Sequence, residues 1–546
     1  MKLSKEALVL LILITVAAIV QFKLADQQSL WADEIFSLAM ATGHSLEHPA
    51  ASAQPELGDF VEPEGPVPAS HFRRYVQHES PPASPARVIR AVLLSDTSPP
   101  LYYLLLQGWT LTFGTSDISL RLLSVAFFVA SLPLIFAVAQ RIAGLRAAMA
   151  SSVLFIFCPL VIYYSTEGRM YSLVVFLSVA TALVSLVLQE RGPHVGYCLL
   201  WVTLSAAGFL THYFFVFPWV ASAAFLFLQP GKFARRWLIG CSLLIALLIL
   251  PWTWVAGGMF DSWKVTQGWL NKPGGFHRTR AFVTQFTQFL FPPGTGLWTT
   301  PRWAKILLLM LFGSLALLAI WRLRLRLFTG RRLLLWMWLI AACAGPTFID
   351  LLQHTHTAAI PRYAFAGVPA ACLLAGTVLS LIGNRLRIAL LCLILVAWIP
   401  GLYNIYRQSS RSGEPVREIA QNISATAGPS DIVLVHSIPS GVIGVARYVQ
   451  TPAVLASWVE QLGNRRVPES LQRLAEGRNR VLLVKVHAVG APAPEEDWLR
   501  ANAVVLNQQR IQAINLIDFK LNTLSVSHNE WNGNQTDNSL MRLEHR

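Results

Sequence analysis

Two adjacent carboxylates, Asp33 and Glu34, stand in the stretch WADEIFS, directly after the first long apolar run of the chain. A carboxylate within hydrogen-bond reach of an alcohol can remove its proton, and a neighbouring acid can orient that base or bind a metal ion. The same pair could instead mark only the boundary between membrane and water. The pattern predicts a candidate general base at Asp33, with Glu34 as its support.

Three further segments carry ionisable groups where apolar runs end: STEGRM with Glu167 and Arg169, LTHYFF with His212, and PRYAF with Arg362 and Tyr363. Such groups cost about 2.5–3.5 kcal/mol each at membrane depth, so they usually face a cavity. A guanidinium group binds phosphate oxygens in pairs and stays charged, which predicts an anion site at Arg362. Structural alternatives remain open: an interfacial ion pair for Glu167 and Arg169, a satisfied turn residue for His212, and snorkelling to water for Arg362.

Metal and nucleotide sites are poorly supported by the sequence. His354 and His356, which follow Asp350 in DLLQHTHTAAIPRYAF, are too few ligands for a zinc site. All six cysteines lie in apolar runs without metal or disulfide spacing, which predicts small buried side chains. No Walker A, strand-linked G-x-G-x-x-G or Asp-x-Asp pattern occurs. We therefore predict no metal ligands and no certain cofactor, and leave a divalent metal open.

The elements that must position these groups are strongly apolar. The chain has 546 residues, of which 54% are hydrophobic and 13% charged, whereas soluble proteins carry about 25% charged residues. Runs of ~20 apolar residues predict about eleven membrane helices, the first retained rather than cleaved: 6–22, 120–140, 147–165, 170–189, 196–212, 214–229, 237–256, 303–321, 333–352, 361–382 and 386–402. The stretch 99–113 is short and begins with two prolines, which predicts an interfacial or re-entrant helix.

The distribution of charge gives the orientation. With a cytoplasmic start, the short inner connections hold most of the basic residues, including RLRLRLFTGRR at 322–332, as the positive-inside rule expects. The net charge of +15 is therefore interpreted as a topology signal and not as a nucleic-acid footprint. In this topology all the candidate residues lie on the outer face.

Two domains are predicted. Residues 1–404 form the membrane domain, with outer segments at 23–119 and 257–302; within the first, the proline- and acid-rich insertion 47–86 is predicted to be mobile. In residues 405–546 the apolar density falls. Strands at 431–437 and 480–488, with a helix at 414–428, predict an α/β domain outside the membrane.

The motifs, in this order and topology, resemble the membrane-embedded GT-C glycosyltransferases of the family 39-like group, which includes protein O-mannosyltransferases and aminoarabinose transferases. The likeness covers most of residues 1–405. Ser98 departs from the pattern, because aminoarabinose transferases carry a lysine and many other members a histidine at that place, so the donor sugar stays open. The segments that carry the resemblance are WADEIFS (31–37), SPPLYYLLLQGWTLTFG (98–114), ISLRLLSVAFFVASLPLIFAVAQRIAG (118–144), YYSTEGRMYSLVVF (163–176), THYFFVFPW (211–219) and PRYAFAGVPA (361–370).

The resemblance implies an all-α polytopic membrane bundle with a C-terminal extracytoplasmic α/β domain, in the cytoplasmic (inner) membrane of a bacterium. It implies an inverting glycosyltransferase that moves a monosaccharide from a polyprenyl-phosphate carrier to a glycan, lipid or protein of the cell envelope, with no nucleic-acid partner. Asp33 would be the catalytic base. Substrate and carrier would be bound by Glu34, Tyr102, Glu167, Arg169, His212, Arg362 and Tyr363, with basic residues of 264–280 as further phosphate ligands.

Two other functions remain open at this point. A polymerase or ligase of lipid-linked oligosaccharides also has many helices and large outer segments, but its donor is linked through a diphosphate. A membrane transporter would usually show inverted repeats with interrupted helices in matched halves. No clear internal repeat is visible in the chain, which argues against transport.

Overall fold

The computed structural model describes residues 5–48, 52–96, 98–229, 231–257, 278–291, 300–459, 465–486 and 493–521. The membrane-spanning part is helical, because inside lipid a helix satisfies its own backbone N–H and C=O groups. In chain order the α-helices up to residue 407 are α1 Lys5–Gln27, α2 Ala32–Ala41, α3 Ala69–Arg73, α4 Pro85–Ser95, α5 Leu101–Phe113, α6 Asp117–Ala143, α7 Leu145–Phe157, α8 Pro159–Ser165, α9 Tyr171–Arg191, α10 Val195–Phe209, α11 Val216–Leu228, α12 Arg235–Gly257, α13 Arg278–Thr287, α14 Arg302–Leu323, α15 Arg332–Gln353, α16 Val368–Leu379 and α17 Asn384–Arg407.

The predicted membrane bundle is confirmed, but not its exact number of spans. Within the described ranges, 8 helices are long and apolar enough to cross a membrane, or 9 if α7 and α8 are counted as one span bent by 61°. The bend falls where Pro159 forces the residue before it, Cys158, out of helical geometry. The predicted spans 196–212 and 214–229 correspond to shorter apolar helices, so the count of eleven is not confirmed.

Helix α5 corresponds to the stretch predicted to lie at the interface. Its 13 residues extend over about 20 Å, which is less than the ~30 Å of a bilayer's hydrocarbon core. Its first N–H, that of Leu101, donates to the carbonyl oxygen of Leu210 at 2.9 Å. This bond ties α5 to the outer end of α10.

The outer insertion 47–86 is built of short helices and not of an extended loop. It contains α3 and 3₁₀ turns at 55–57 and 74–76, packed on buried Phe60, Phe72 and Tyr75. The aromatic residues among its prolines supply this small core. Its predicted mobility stays a prediction. Of the second outer segment, 257–302, the structure describes α13 and its surroundings, and residues 258–277 and 292–299 lie outside the described residues.

The predicted C-terminal α/β domain is confirmed. Its sheet has the order β2-β1-β3-β5-β4, with β1 parallel to β2 and β3, and β5 antiparallel to β3 and β4. The residues of β1 are all buried, as expected for a strand covered on both faces. The elements are α18 Val416–Thr426, β1 Asp431–His436, α19 Pro439–Tyr448, β2 Val454–Trp458, α20 Glu469–Ala475, β3 Arg480–Lys485, α21 Pro494–Asn502, β4 Ala503–Ile511 and β5 Ile514–Leu521.

This domain packs directly on the membrane helices and on the outer insertion. Asp117, the first residue of α6, accepts hydrogen bonds from Arg417, Arg447 and the Tyr448 hydroxyl. The buried carboxylate of Glu62, from the insertion, accepts from the N–H of Val459 and from other groups of the domain. The three parts therefore meet around the outer ends of α1 and α6.

Candidate active site

The predicted base and the predicted anion site form one ion pair. Asp33 is the second residue of α2, where a carboxylate is favoured by the positive end of the helix. Arg362 donates from Nη1 to Oδ2 of Asp33 at 2.9 Å, and the two side chains retain 16% (Arg362) and 25% (Asp33) of their exposure. The rings of Trp31 and Tyr363 flank the guanidinium group at 5.6 and 5.8 Å. Both charged groups thus remain accessible at the end of the bundle that is predicted to face outward.

Glu34 lies behind Asp33 and is completely buried. Its carboxylate accepts two hydrogen bonds from Arg121, at 2.7 and 2.6 Å, and one from the N–H of Gly168 at 2.8 Å. Burial would raise the pKa of Glu34, but the charge of Arg121 and these hydrogen bonds hold it below its usual value. Glu34 has no exposed surface, and its hydrogen bonds connect the start of α2 to α6 and to the Gly168 loop; its predicted contact with substrate stays a prediction.

Arg121 was not predicted as part of the site. It donates three further hydrogen bonds, to the carbonyl oxygens of Ala25, Gln28 and Ser29, and so holds the end of α1 and the turn before α2. A signal was present in the sequence, since an arginine inside an apolar span requires a buried partner.

Glu167 is the second buried acid, and part of it has no partner. The residue is 1% exposed and its Oε2 atom makes no hydrogen bond. Burial raises the pKa of Glu167 to about 7, against the lowering effect of Arg411 and Arg362 and with a further contribution from Glu34 and Asp33. A carboxyl group whose pKa lies near neutrality among other charged groups is typical of functional sites.

The loop that carries Glu167 depends on Gly168. A Cβ atom at this position would lie 2.5 Å from the side chain of Leu120 on α6, and only glycine avoids that clash. The close approach lets the Gly168 N–H reach Glu34, so the two acidic loops are bonded to each other.

Arg169 does not pair with Glu167 but with Asp96, which sequence reasoning missed. From Nη1 it donates to Asp96 at 3.1 Å, to the Ser37 hydroxyl at 3.1 Å and to the Tyr103 hydroxyl at 3.2 Å. Burial would raise the pKa of Asp96, but Arg169 and the Tyr103 hydroxyl hold it below its usual value. The interfacial pair between Glu167 and Arg169 is therefore ruled out, and Arg169 links α2 to α5.

The remaining predicted residues, His212 and Tyr102, contact other members of the cluster. His212 accepts a hydrogen bond from the Phe214 N–H at Nδ1, and its ring lies 6.2 Å from that of Tyr363. Tyr102 is fully buried, with its hydroxyl 3.4 Å from the Ser124 hydroxyl, which in turn donates to the carbonyl oxygen of Arg169. Tyr102 is thus connected through Ser124 to the Arg169 loop, and its predicted contact with substrate stays a prediction.

Asp350 lies outside the cluster. It accepts hydrogen bonds from Thr355, Thr357 and Ala358, and so closes the loop after α15. Among the described residues, no three His, Cys, Asp or Glu side chains come together as metal ligands. Of the basic candidates at 264–280, those at 264–277 lie outside the described residues, and Arg278 and Arg280 lie in the first turn of α13. The cysteines differ from the prediction at two positions, because Cys198 is half-buried and Cys392 is exposed on a membrane helix.

Taken together, this end of the bundle holds an accessible carboxylate, an accessible guanidinium group and a buried carboxyl group whose pKa lies near neutrality. A carboxylate can accept a proton from an alcohol, and a guanidinium group can bind and stabilise a leaving phosphate. The arrangement suits group transfer from a phosphate-bearing donor to a hydroxyl acceptor.

Comparisons with known proteins give a family match for part of the chain and a structural match for its fold. Residues 97–254 match the sequence model of the family described as dolichyl-phosphate-mannose-protein mannosyltransferase. The fold matches the crystal structure of ArnT from Cupriavidus metallidurans bound to undecaprenyl phosphate, with a TM-score of 0.56 and 12% identity over 93% of this chain and 97% of ArnT. The apo form of ArnT gives a TM-score of 0.57 with the same identity and coverage. No curated protein sequence matches significantly.

Proposed function

We propose that the chain is a membrane glycosyltransferase of the GT-C class, related to the mannosyltransferases and ArnT. On this premise, it transfers a monosaccharide from a polyprenyl-phosphate carrier to a cell-envelope acceptor. The reaction would take place at the outer face of the cytoplasmic membrane. Residues 1–404 would bind the donor, and residues 405–546 would lie on the same outer side.

The ion pair between Asp33 and Arg362 is the observation that supports this function best. A phosphate group that reaches the ion pair competes with Asp33 for the Arg362 guanidinium group. A guanidinium group forms paired hydrogen bonds with phosphate oxygens. Asp33 is then free to accept a proton from an incoming hydroxyl group. Donor binding would thus release the base at the moment when it is needed.

The reaction follows from these two residues. The acceptor oxygen forms a bond to the anomeric carbon while its proton passes to Asp33. The bond from the anomeric carbon to the phosphate oxygen breaks, configuration inverts, and polyprenyl phosphate leaves with its charge held by Arg362. General-base catalysis of this kind contributes ~10²–10⁴-fold. That ArnT was crystallised with undecaprenyl phosphate supports a carrier of this class.

The test compares donors on the purified full-length chain in lipid nanodiscs. Polyprenyl-phosphate monosaccharides and polyprenyl-diphosphate oligosaccharides are supplied with a cell-envelope extract, and the released carrier is identified by mass spectrometry. The proposal expects polyprenyl phosphate from the first donor class and a release ~10²–10⁴-fold slower after Asp33→Asn. Release of polyprenyl diphosphate would favour a polymerase or ligase, and accumulation of substrate in vesicles without a covalent product would favour a transporter.

A further inference from the structure

The two acidic loops of the site are held by a third segment, which comes from far along the chain. One loop, residues 28–31, joins α1 to α2, the helix whose second residue is Asp33. The other, residues 166–170, joins α8 to α9 and carries Glu167. Residues 409–414, between the last membrane helix and the C-terminal domain, contact both loops.

Glu414 caps the helix that carries the base. The Oε2 atom of Glu414 accepts a hydrogen bond of 3.0 Å from the N–H of Ala32, the first residue of α2. The two residues are 382 positions apart in the sequence. The first N–H groups of a helix have no partner within it, and a negative charge there is favourable. Two further bonds fix the turn before it, from the Ser29 hydroxyl to the Glu414 carbonyl oxygen at 3.2 Å and from the Ser29 N–H to the Ser409 carbonyl oxygen at 3.3 Å.

Arg411 caps the other loop with the opposite charge. It is 1% exposed and donates to the carbonyl oxygens of Tyr163 and Thr166, each at 2.8 Å, and to the Thr166 hydroxyl at 2.6 Å. Its guanidinium group also lies over the Tyr163 ring, 4.7 Å from the centroid. Carbonyl groups at the C-terminal end of a helix lack partners and favour a cation, so Arg411 fixes the end of α8 directly before Glu167.

We propose that Arg411 and Glu414 are positioning residues of the active site, contributed by the segment that opens the C-terminal domain. They act through the backbone of the two loops and do not act on the substrate. This assignment rests on the proposed function and extends it, because it makes the junction with the C-terminal domain a component of the catalytic centre.

The position of Arg411 gives it a second, electrostatic effect. The charged groups that act on Glu167 are Arg411, Arg362, Glu34 and Asp33, and Arg411 gives the largest contribution that lowers its pKa. Removal of the Arg411 charge should therefore raise the pKa of Glu167 further. A purely structural loss elsewhere in the domain would not move the ionisation of Glu167.

The experiment uses the full-length chain in nanodiscs and the variants Arg411→Gln, Arg411→Lys and Glu414→Gln. Arg480→Gln is the matched control, because Arg480 forms ion pairs with Asp431 and Asp518 inside the C-terminal sheet. Hydrogen exchange is followed in peptides that cover residues 28–37 and 162–170. Glu167→Gln is also introduced into the parent and into each variant. The difference in stability with and without Glu167→Gln is then measured across a range of pH, and the pH at which this difference changes gives the ionisation of Glu167.

The expected results separate the two kinds of role. Glu414→Gln should speed hydrogen exchange in residues 28–37. Arg411→Gln should speed hydrogen exchange in residues 162–170 and raise the pKa of Glu167. Arg411→Lys should return the pKa of Glu167 to its parent value but should restore only part of the protection of residues 162–170 against exchange. The control should lower the thermal midpoint without either effect. With an active donor, Arg411→Gln should reduce kcat about 10²-fold with little change in KM, as expected for a displaced reacting group.

Two outcomes would overturn the assignment: wild-type exchange in both loops, or an Arg411→Gln variant indistinguishable from Arg480→Gln at an equal loss of thermal stability. Exchange and ionisation need no substrate. If the wild-type chain transfers no sugar from any donor, the proposed function fails, while these two measurements still decide whether the segment positions the loops.

Discussion

Replacement of Glu167 by glutamine should stabilise the protein, and increasingly so as the pH rises. The carboxyl group is 1% exposed and has one oxygen without a partner, and burial raises its pKa from 4.5 to about 7. Between these two pH values the unfolded chain has released the proton and the folded chain still holds it. Stability therefore falls as the pH rises through this window.

The magnitude follows from the difference between the two pKa values. At about 1.4 kcal/mol per pKa unit, a rise from 4.5 to about 7 costs on the order of 3 kcal/mol once the pH exceeds 7. Glutamine has nearly the same shape and no charge, so it avoids this cost. Any cost of its buried amide is the same at every pH and does not affect the trend.

The assay is thermal unfolding of the purified chain in detergent at pH 5 to 8.5, for the parent, Glu167→Gln and Glu418→Gln, the last being an exposed glutamate of the C-terminal domain. The midpoint of Glu167→Gln relative to the parent should rise between pH 5 and 7 and then level off, and the control should show no such trend. A constant difference across the whole range, or a parent that gains on the variant as the pH rises, would refute the reasoning. A buried carboxyl group that lowers the stability of the protein, as Glu167 does, is expected at a functional site.

Three further predictions concern the groups around Glu167. Asp33→Asn should reduce sugar transfer by ~10²–10⁴-fold with an unchanged unfolding midpoint; wild-type product levels in mass spectra of the cell envelope would contradict its role as base. Glu34→Gln should remove about 3–5 kcal/mol of stability, because it leaves the buried Arg121 without its counter-charge, and a midpoint equal to that of Asp33→Asn would contradict this. Asp96→Asn should cost about 2 kcal/mol through its charged hydrogen bonds with Arg169, and a wild-type unfolding curve would show that the pair contributes little.

The membrane bundle could be predicted from the sequence because each membrane helix is a continuous run of apolar residues. Each predicted span corresponds to a helix or to the bent pair α7–α8, and the polar residues between them meet at one end. The exact number of spans could not be predicted, because α10 and residues 213–228 are helices too short to qualify by length alone. Packing against neighbouring helices, which the sequence does not display, decides how such short elements lie.

Several candidate side chains were identified in the sequence, but not the partners that the structure gives them. Asp33 and Arg362 were identified as separate groups, and the structure joins them in an ion pair. Arg411 and Glu414 lie in a stretch with no apolar pattern and no motif, and their partners are hundreds of residues away. A single sequence gives no information on such long-range hydrogen bonds, so residues that act on backbone groups are the ones it hides.

The segment that carries Glu62 also forms a backbone bridge to the C-terminal domain, between Val67 and Leu455, with hydrogen bonds of 2.8 Å in both directions. This bridge can form only after residue 455 has been synthesised. A ribosome synthesises the strand segment around residue 67 well before its partner exists. A nascent chain that has already inserted all its membrane helices therefore still lacks the contacts that close its outer segment. Premature termination after residue 407 would therefore leave the membrane spans in the lipid without the C-terminal contacts that hold the segment around residue 67.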